Sequence, residues 1–119
     1  MHASVDVSQR RILDLVHLAR QTFGDRQLER ELLALFEKQC LRLLPVLAGG
    51  APVRDRGDAA HTLKGAARAV GAWRIASVAE ELEQALAGER PGEALGQLIG
   101  DLERAVAETR EAAAQWSAV

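Results

Sequence analysis

Apolar residues recur at spacings of three and four along this chain, and the pattern breaks only at glycine- and proline-containing junctions. That period is the one at which an α-helix buries a single stripe. The first stripe, Ile12, Leu15, Val16 and Ala19, belongs to a helix expected from about Ser8 to Thr22. Gly24 supplies a stop, and Asp25 an N-cap for a second helix running to about Leu47. Its inward residues are expected to be Leu28, Leu32, Leu35, Phe36, Leu43 and Leu47, with Pro45 placed to kink it near its end. After the loop Gly49-Gly50-Ala51-Pro52, a third helix runs from Val53 to Val70 and stops at Gly71. A fourth spans Trp73 to Ala87, with Ile75, Val78, Ala79, Leu82 and Leu86 inward. The segment Gly88-Glu89-Arg90-Pro91-Gly92 breaks it. The fifth runs from Glu93 toward the C-terminus through Leu95, Leu98, Leu102, Val106 and Thr109.

Short loops favour antiparallel neighbours. The expected fold is therefore all-α: an antiparallel up-down-up-down four-helix bundle, with a short additional N-terminal helix covering one end. A length of 119 residues suits a single domain, here residues 1–119 with a tail over residues 1–7. Aromatics are only 3% and tyrosine is absent, so strand signals are weak. A net charge of −2 gives no electrostatic case for nucleic acid. The N-terminal residues lack a secretory apolar core, and no apolar run approaches the roughly 20 residues of a membrane span. These features lead to the expectation of a soluble, cytoplasmic protein. Cys40, the single cysteine, reads as a buried, reduced thiol.

The third helix carries the chemistry. An α-helix turns about 100° per residue, so Lys64, Gly65 and Arg68 fall within about 60° of His61. Gly57 and Arg54 share that face one and two turns earlier. Ala59, Leu63, Ala66 and Val70 lie on the opposite side as a small-residue core stripe. His61 is thus expected to face solvent beside Lys64 and Arg68. Glycine in a helix interior costs about 1 kcal/mol relative to alanine. Gly57 and Gly65, one turn either side of His61, leave bare backbone that another protein could approach. The face is locally basic in a chain that is acidic overall, which suits a histidine entering an acidic pocket.

The stretch His61-Thr62-Leu63-Lys64-Gly65-Ala66-Ala67-Arg68-Ala69-Val70-Gly71-Ala72, with Ile75, Ala76, Ala79 and Leu82-Glu83, is similar to the signature of histidine-phosphotransfer (HPt) domains. The Gly24-Asp25 junction before Glu31-Leu32-Leu33-Ala34-Leu35-Phe36 also resembles the family's start of its second helix. The resemblance implies that His61 is the phosphoacceptor, through its ring nitrogen farther from the backbone. It implies that Lys64 positions or neutralises the phosphoryl group, that Gly65 gives a receiver domain room, and that Gly71 ends the helix. Many members carry serine where this chain has Ala66, a change expected to affect packing rather than function. Arg68, Arg54 and Gly57 are candidate partner-docking residues from the helical phase alone.

On this reading the chain is a phosphocarrier rather than an enzyme, without an ATP site, since nothing in it resembles a P-loop. It would bind no cofactor or metal of its own; Mg²⁺ would sit on the partner receiver domain. Its partners would be the receiver domains of a hybrid histidine kinase and of a response regulator. A free-standing monomeric shuttle is expected.

Two other functions compete. The phosphoacceptor region of a sensor kinase carries an acidic residue after its histidine and a proline soon afterwards. Thr62 and the absence of proline near His61 argue against it. A phosphate-independent helical adaptor needs only the bundle and an exposed face. A metal site built from His2, His17 and His61 lacks the necessary spacing. Glu80-Glu81-Glu83 reads as a solvated face, although Glu83 matches the family pattern. Trp73 is expected to pack at the start of the fourth helix, Trp116 to fray or to cap the bundle, and His17 to be a surface or boundary residue.

Overall fold

Capping residues set the helix limits in the computed structural model, which describes residues 12–88 and 92–118. Helix α1 spans Leu15–Thr22, α2 Arg26–Ala48, α3 Val53–Val70, α4 Trp73–Ala87 and α5 Gly92–Ser117. The Asp14 carboxylate accepts the His17 backbone N–H at 3.0 Å, and that of Asp25 accepts the Leu28 N–H at 3.1 Å. Each thereby satisfies a helix-start donor. Gly71 closes α3 in the left-handed region at φ 81°, and the Ala72 N–H reaches back to the Ala67 carbonyl at 2.9 Å.

Helices α2 to α5 form the expected antiparallel bundle. Each packs on the next, and α5 closes the ring against α2. Leu33, Phe36, Leu63, Ile75, Leu82 and Leu102 are among the buried side chains that fill it. Among the described residues there is no strand, and no helix is long and apolar enough to cross a membrane.

Helix α1 packs on α2 and α3 beside the α3–α4 turn. The Asp14 N–H donates to the Gly71 carbonyl at 2.9 Å, and Trp73 Nε1–H donates to the Asp14 carboxylate at 2.9 Å. His17 Nε2–H donates to the Ala69 carbonyl at 3.2 Å, and its ring meets Trp73 edge-on at 4.9 Å between centroids. These contacts make His17 a half-buried boundary residue and give Trp73 its place at the start of α4.

Several expected inward positions are corrected. The first helix is not continuous from Ser8: a fresh helix starts behind Asp14, and residues 8–11 and the tail over 1–7 lie outside the described residues. Val16 is 53% exposed, whereas Leu18 and Thr22 point inward. In α2, Leu28 and Leu35 are exposed; the buried phase is Glu29, Leu33, Phe36, Cys40, Leu43 and Leu47. A charged residue on that stripe hid it. Glu29 is tolerated because the Thr22 hydroxyl lies 3.2 Å from its carboxylate and the Arg26 guanidinium 3.7 Å away. In α3 the core stripe includes Ala60 and Ala67, while Ala66 is only partly buried. Val78, Leu95 and Leu98 are likewise partly buried. Trp116 is no frayed end: Arg26 stacks 3.8 Å above its ring and donates to its carbonyl at 2.9 Å.

Two outcomes follow from this packing. A Cβ on Gly71 would lie 3.0 Å from both the Cβ and the carbonyl oxygen of Asp14, at a left-handed φ. Gly71→Ala is expected to cost about 1–3 kcal/mol, read as a lower urea midpoint at unchanged m-value. Burial, helped by Glu37, pushes the Cys40 thiol up to about 11. A thiol-specific reagent at about pH 8 should therefore label Cys40 only after denaturation.

Candidate functional site

His61 lies mid-way along α3, one turn before Gly65 and one after Gly57. Its phase on the helix is opposite to buried Leu63 and Val70. Its side chain is 69% exposed. Lys64, expected to stand out beside it, instead folds against α4 and is only 14% exposed. The reason is Glu83 on α4. One oxygen of its carboxylate accepts Lys64 Nζ at 2.6 Å, and the other lies 2.8 Å from His61 Nδ1.

The Lys64 hydrogen bond, with a smaller contribution from that of His61, holds the Glu83 carboxyl below its usual value against an opposing cost of burial. Glu83 is therefore a carboxylate, which can only accept hydrogen bonds. The proton of the neutral imidazole must then sit on Nδ1, leaving an unprotonated lone pair on Nε2 of this exposed side chain. The arrangement presents a nucleophilic nitrogen on a ring whose tautomer and orientation are fixed from behind.

His61 and Glu83 also line an open groove of about 300 Å³ with Val53, Arg54, Gly57, Asp58, Leu86 and Ala87. Of the residues singled out in sequence, this brings together His61, Arg54 and Gly57. Gly65 and Arg68 do not line it. Arg68 instead faces Glu80 across the α3–α4 seam at 3.6 Å, at the outer limit of an ion pair. A Cβ added at Gly57 or at Gly65 would meet no atom within 4 Å, so packing within the bundle does not require glycine at either position.

The α4 carboxylates are thus not a plain solvated face. Glu83 was missed as a site residue, although a signal existed. It lies four residues after buried Ala79 and three before buried Leu86, on the flank of the inward stripe. Acidic residues on such a flank reach a neighbouring helix. Among the described residues, no group of three potential metal ligands assembles; His2 lies outside them.

Residues 31–112 match the family model of the Hpt domain. The chain belongs to the Hpt family. Hpt domains are phosphocarrier modules of two-component phosphorelays and interact with receiver domains, so histidine phosphotransfer is the general activity. Comparison with curated proteins and with solved structures gives no match. The Hpt match runs from within α2 into the last turns of α5 and includes His61, Lys64 and Glu83.

A carboxylate whose value is depressed on folding adds stability above the unfolded carboxylate range. That stability is lost as pH falls through the depressed value. Glu83→Gln should therefore lower stability at neutral pH by about 0.5 kcal/mol. The difference from wild type should vanish in acid, measured by urea unfolding across the carboxylate range.

Proposed function

We propose that His61 takes a phosphoryl group from the aspartyl phosphate of a hybrid sensor kinase's receiver domain and passes it to an aspartate of a response regulator. The observation that carries this reading is an exposed imidazole whose Nδ1 is committed to Glu83, with Nε2 left to meet a partner. Phosphoryl transfer needs an in-line nucleophile and charge stabilisation more than covalent help from the protein. His61 supplies the nucleophile. Lys64 supplies a positive charge held one helical turn away, available to the phosphoryl oxygens at the expense of its bond to Glu83.

Gly57 and Gly65 leave bare backbone on either side, which suits close approach of a receiver. Arg54, at the groove, and Arg68, on the next turn, meet the partner's polar rim. The receiver brings the reactive aspartate and the Mg²⁺. The chain itself brings neither cofactor nor ATP site, and acts as a monomer in the cytoplasm.

The test is phosphotransfer from a phosphorylated receiver domain, with Mg²⁺, to wild type and to His61→Gln. The expected result is acid-labile, base-stable label on wild type alone. Labelling of both would move the phosphoacceptor elsewhere. No label from any receiver of the source organism would favour the phosphate-independent adaptor.

A further inference from the structure

We propose that the groove beside His61 is a recognition pocket that seats one apolar side chain of the incoming receiver domain. Gly57 is bare to keep it open, and Arg54 and Asp58 form a charged rim that orients the occupant. This rests on the phosphocarrier reading of His61 and adds to it what selects the receiver.

Gly57 has no internal reason to be glycine. It sits in the second turn of α3, where glycine lowers helix stability relative to alanine. Its backbone is not in the left-handed region, and a Cβ there would meet nothing within 4 Å. Neither backbone conformation nor packing within the bundle requires it. What the missing side chain leaves free is the groove, which Gly57 lines one turn before His61. The surroundings are apolar. Leu86, otherwise buried, reaches the groove from α4, and Ala87 lies beside it at the end of that helix. Val53, at the start of α3, is a large apolar side chain left 55% exposed at the same place. Such a surface gains by being covered with an apolar side chain rather than with water.

The charges on α3 point the same way. Arg56 donates twice to the Leu47 carbonyl, at 3.0 and 2.9 Å, Lys64 is held by Glu83, and Arg68 faces Glu80. Arg54 has no hydrogen bond or ion pair among the described residues, and neither has Asp58 four residues later. Both line the groove. Helix α3 thus leaves one cation and one carboxylate uncommitted at the groove that His61 shares. A rim with one charge of each sign favours one orientation of a segment carrying both signs and penalises the reverse. The occupant is a receiver because His61 itself lines this groove. A domain whose aspartate meets Nε2 covers the groove as it docks, in uptake and in delivery alike.

The test uses the full chain and one phosphorylated receiver domain that labels wild type. Transfer is followed over a range of receiver concentrations for Gly57→Ala, Gly57→Leu and the rim exchange Arg54→Asp with Asp58→Arg. Both Gly57 variants should unfold at or above the wild-type urea midpoint, since each gains helix propensity and neither meets a neighbour at Cβ. Gly57→Leu should nevertheless raise the half-saturating receiver concentration by about tenfold or more, and Gly57→Ala by less. A bundle more stable yet weaker in docking is an outcome that a structural role for Gly57 does not produce. The rim exchange keeps the net charge and should raise the half-saturating concentration by about fivefold. Carbon-13 spectra should show the Val53 and Leu86 methyl groups shifting with the His61 ring as unphosphorylated receiver is added.

Wild-type half-saturation in Gly57→Leu, or Val53 and Leu86 methyls unmoved while the His61 ring shifts, would overturn the proposal and leave His61 as the carrier. If Gly57→Leu does not fold, unchanged half-saturation in both Gly57→Ala and the rim exchange overturns it equally. Failure of wild type to take label from any receiver would remove the phosphocarrier reading and this inference with it.

Discussion

The close approach of α3 and α4 is the constraint on which the site depends. These two helices share the most extensive interface in the bundle. Ala60 and Ala67 on α3, and Ala76 and Ala79 on α4, are buried. Small side chains let helix axes draw together, since the contact residues set the interaxial distance. The two-residue turn at Gly71 and Ala72 fixes the register of one helix against the other. Only with both does a single carboxylate on α4 reach two side chains a turn apart on α3. Larger residues in that seam would separate Glu83 from Lys64 and His61. The histidine would remain on the surface, but its tautomer would no longer be imposed.

The packing elsewhere is thinner. The α2–α5 contact that closes the ring is the slightest of the four between neighbouring helices of the ring. Polar clasps supplement it. Arg110 reaches Glu37 at 3.1 Å, and Arg26 stacks on Trp116 near the C-terminal end of α5. The bundle is thus most extensively packed where His61 sits.

Much of this was legible in the sequence because helix punctuation is local. Gly24, Asp25, Pro52 and Gly71 mark boundaries through conformations they adopt alone, and the limits of α3 and α4 agree with the structure. The exposure of His61 followed from helical phase in the same way. What escaped was relational. In α2 two apolar stripes overlap, and only tertiary contacts choose between Leu28 with Leu35 and Leu33 with Cys40. The buried Glu29 becomes intelligible once Thr22 and Arg26 are seen around it. Lys64 reads as solvent-facing from its own helix, because the carboxylate that draws it in belongs to another.

The same pairing alters how the site looks from a distance. In sequence the face around His61 is basic, with Arg54, Lys64 and Arg68 on one side of α3. In the fold, Lys64 is matched by Glu83 and Arg68 by Glu80, while Arg54 shares its groove with Asp58. Three cations against three carboxylates leave no net charge among these groups. Such a surface projects little potential beyond the roughly 8–10 Å over which salt screens exposed charges. Encounter with a partner is then governed by diffusion and shape rather than by long-range attraction, and its rate depends only weakly on ionic strength. Discrimination between partners is then left to short-range contacts rather than to long-range steering.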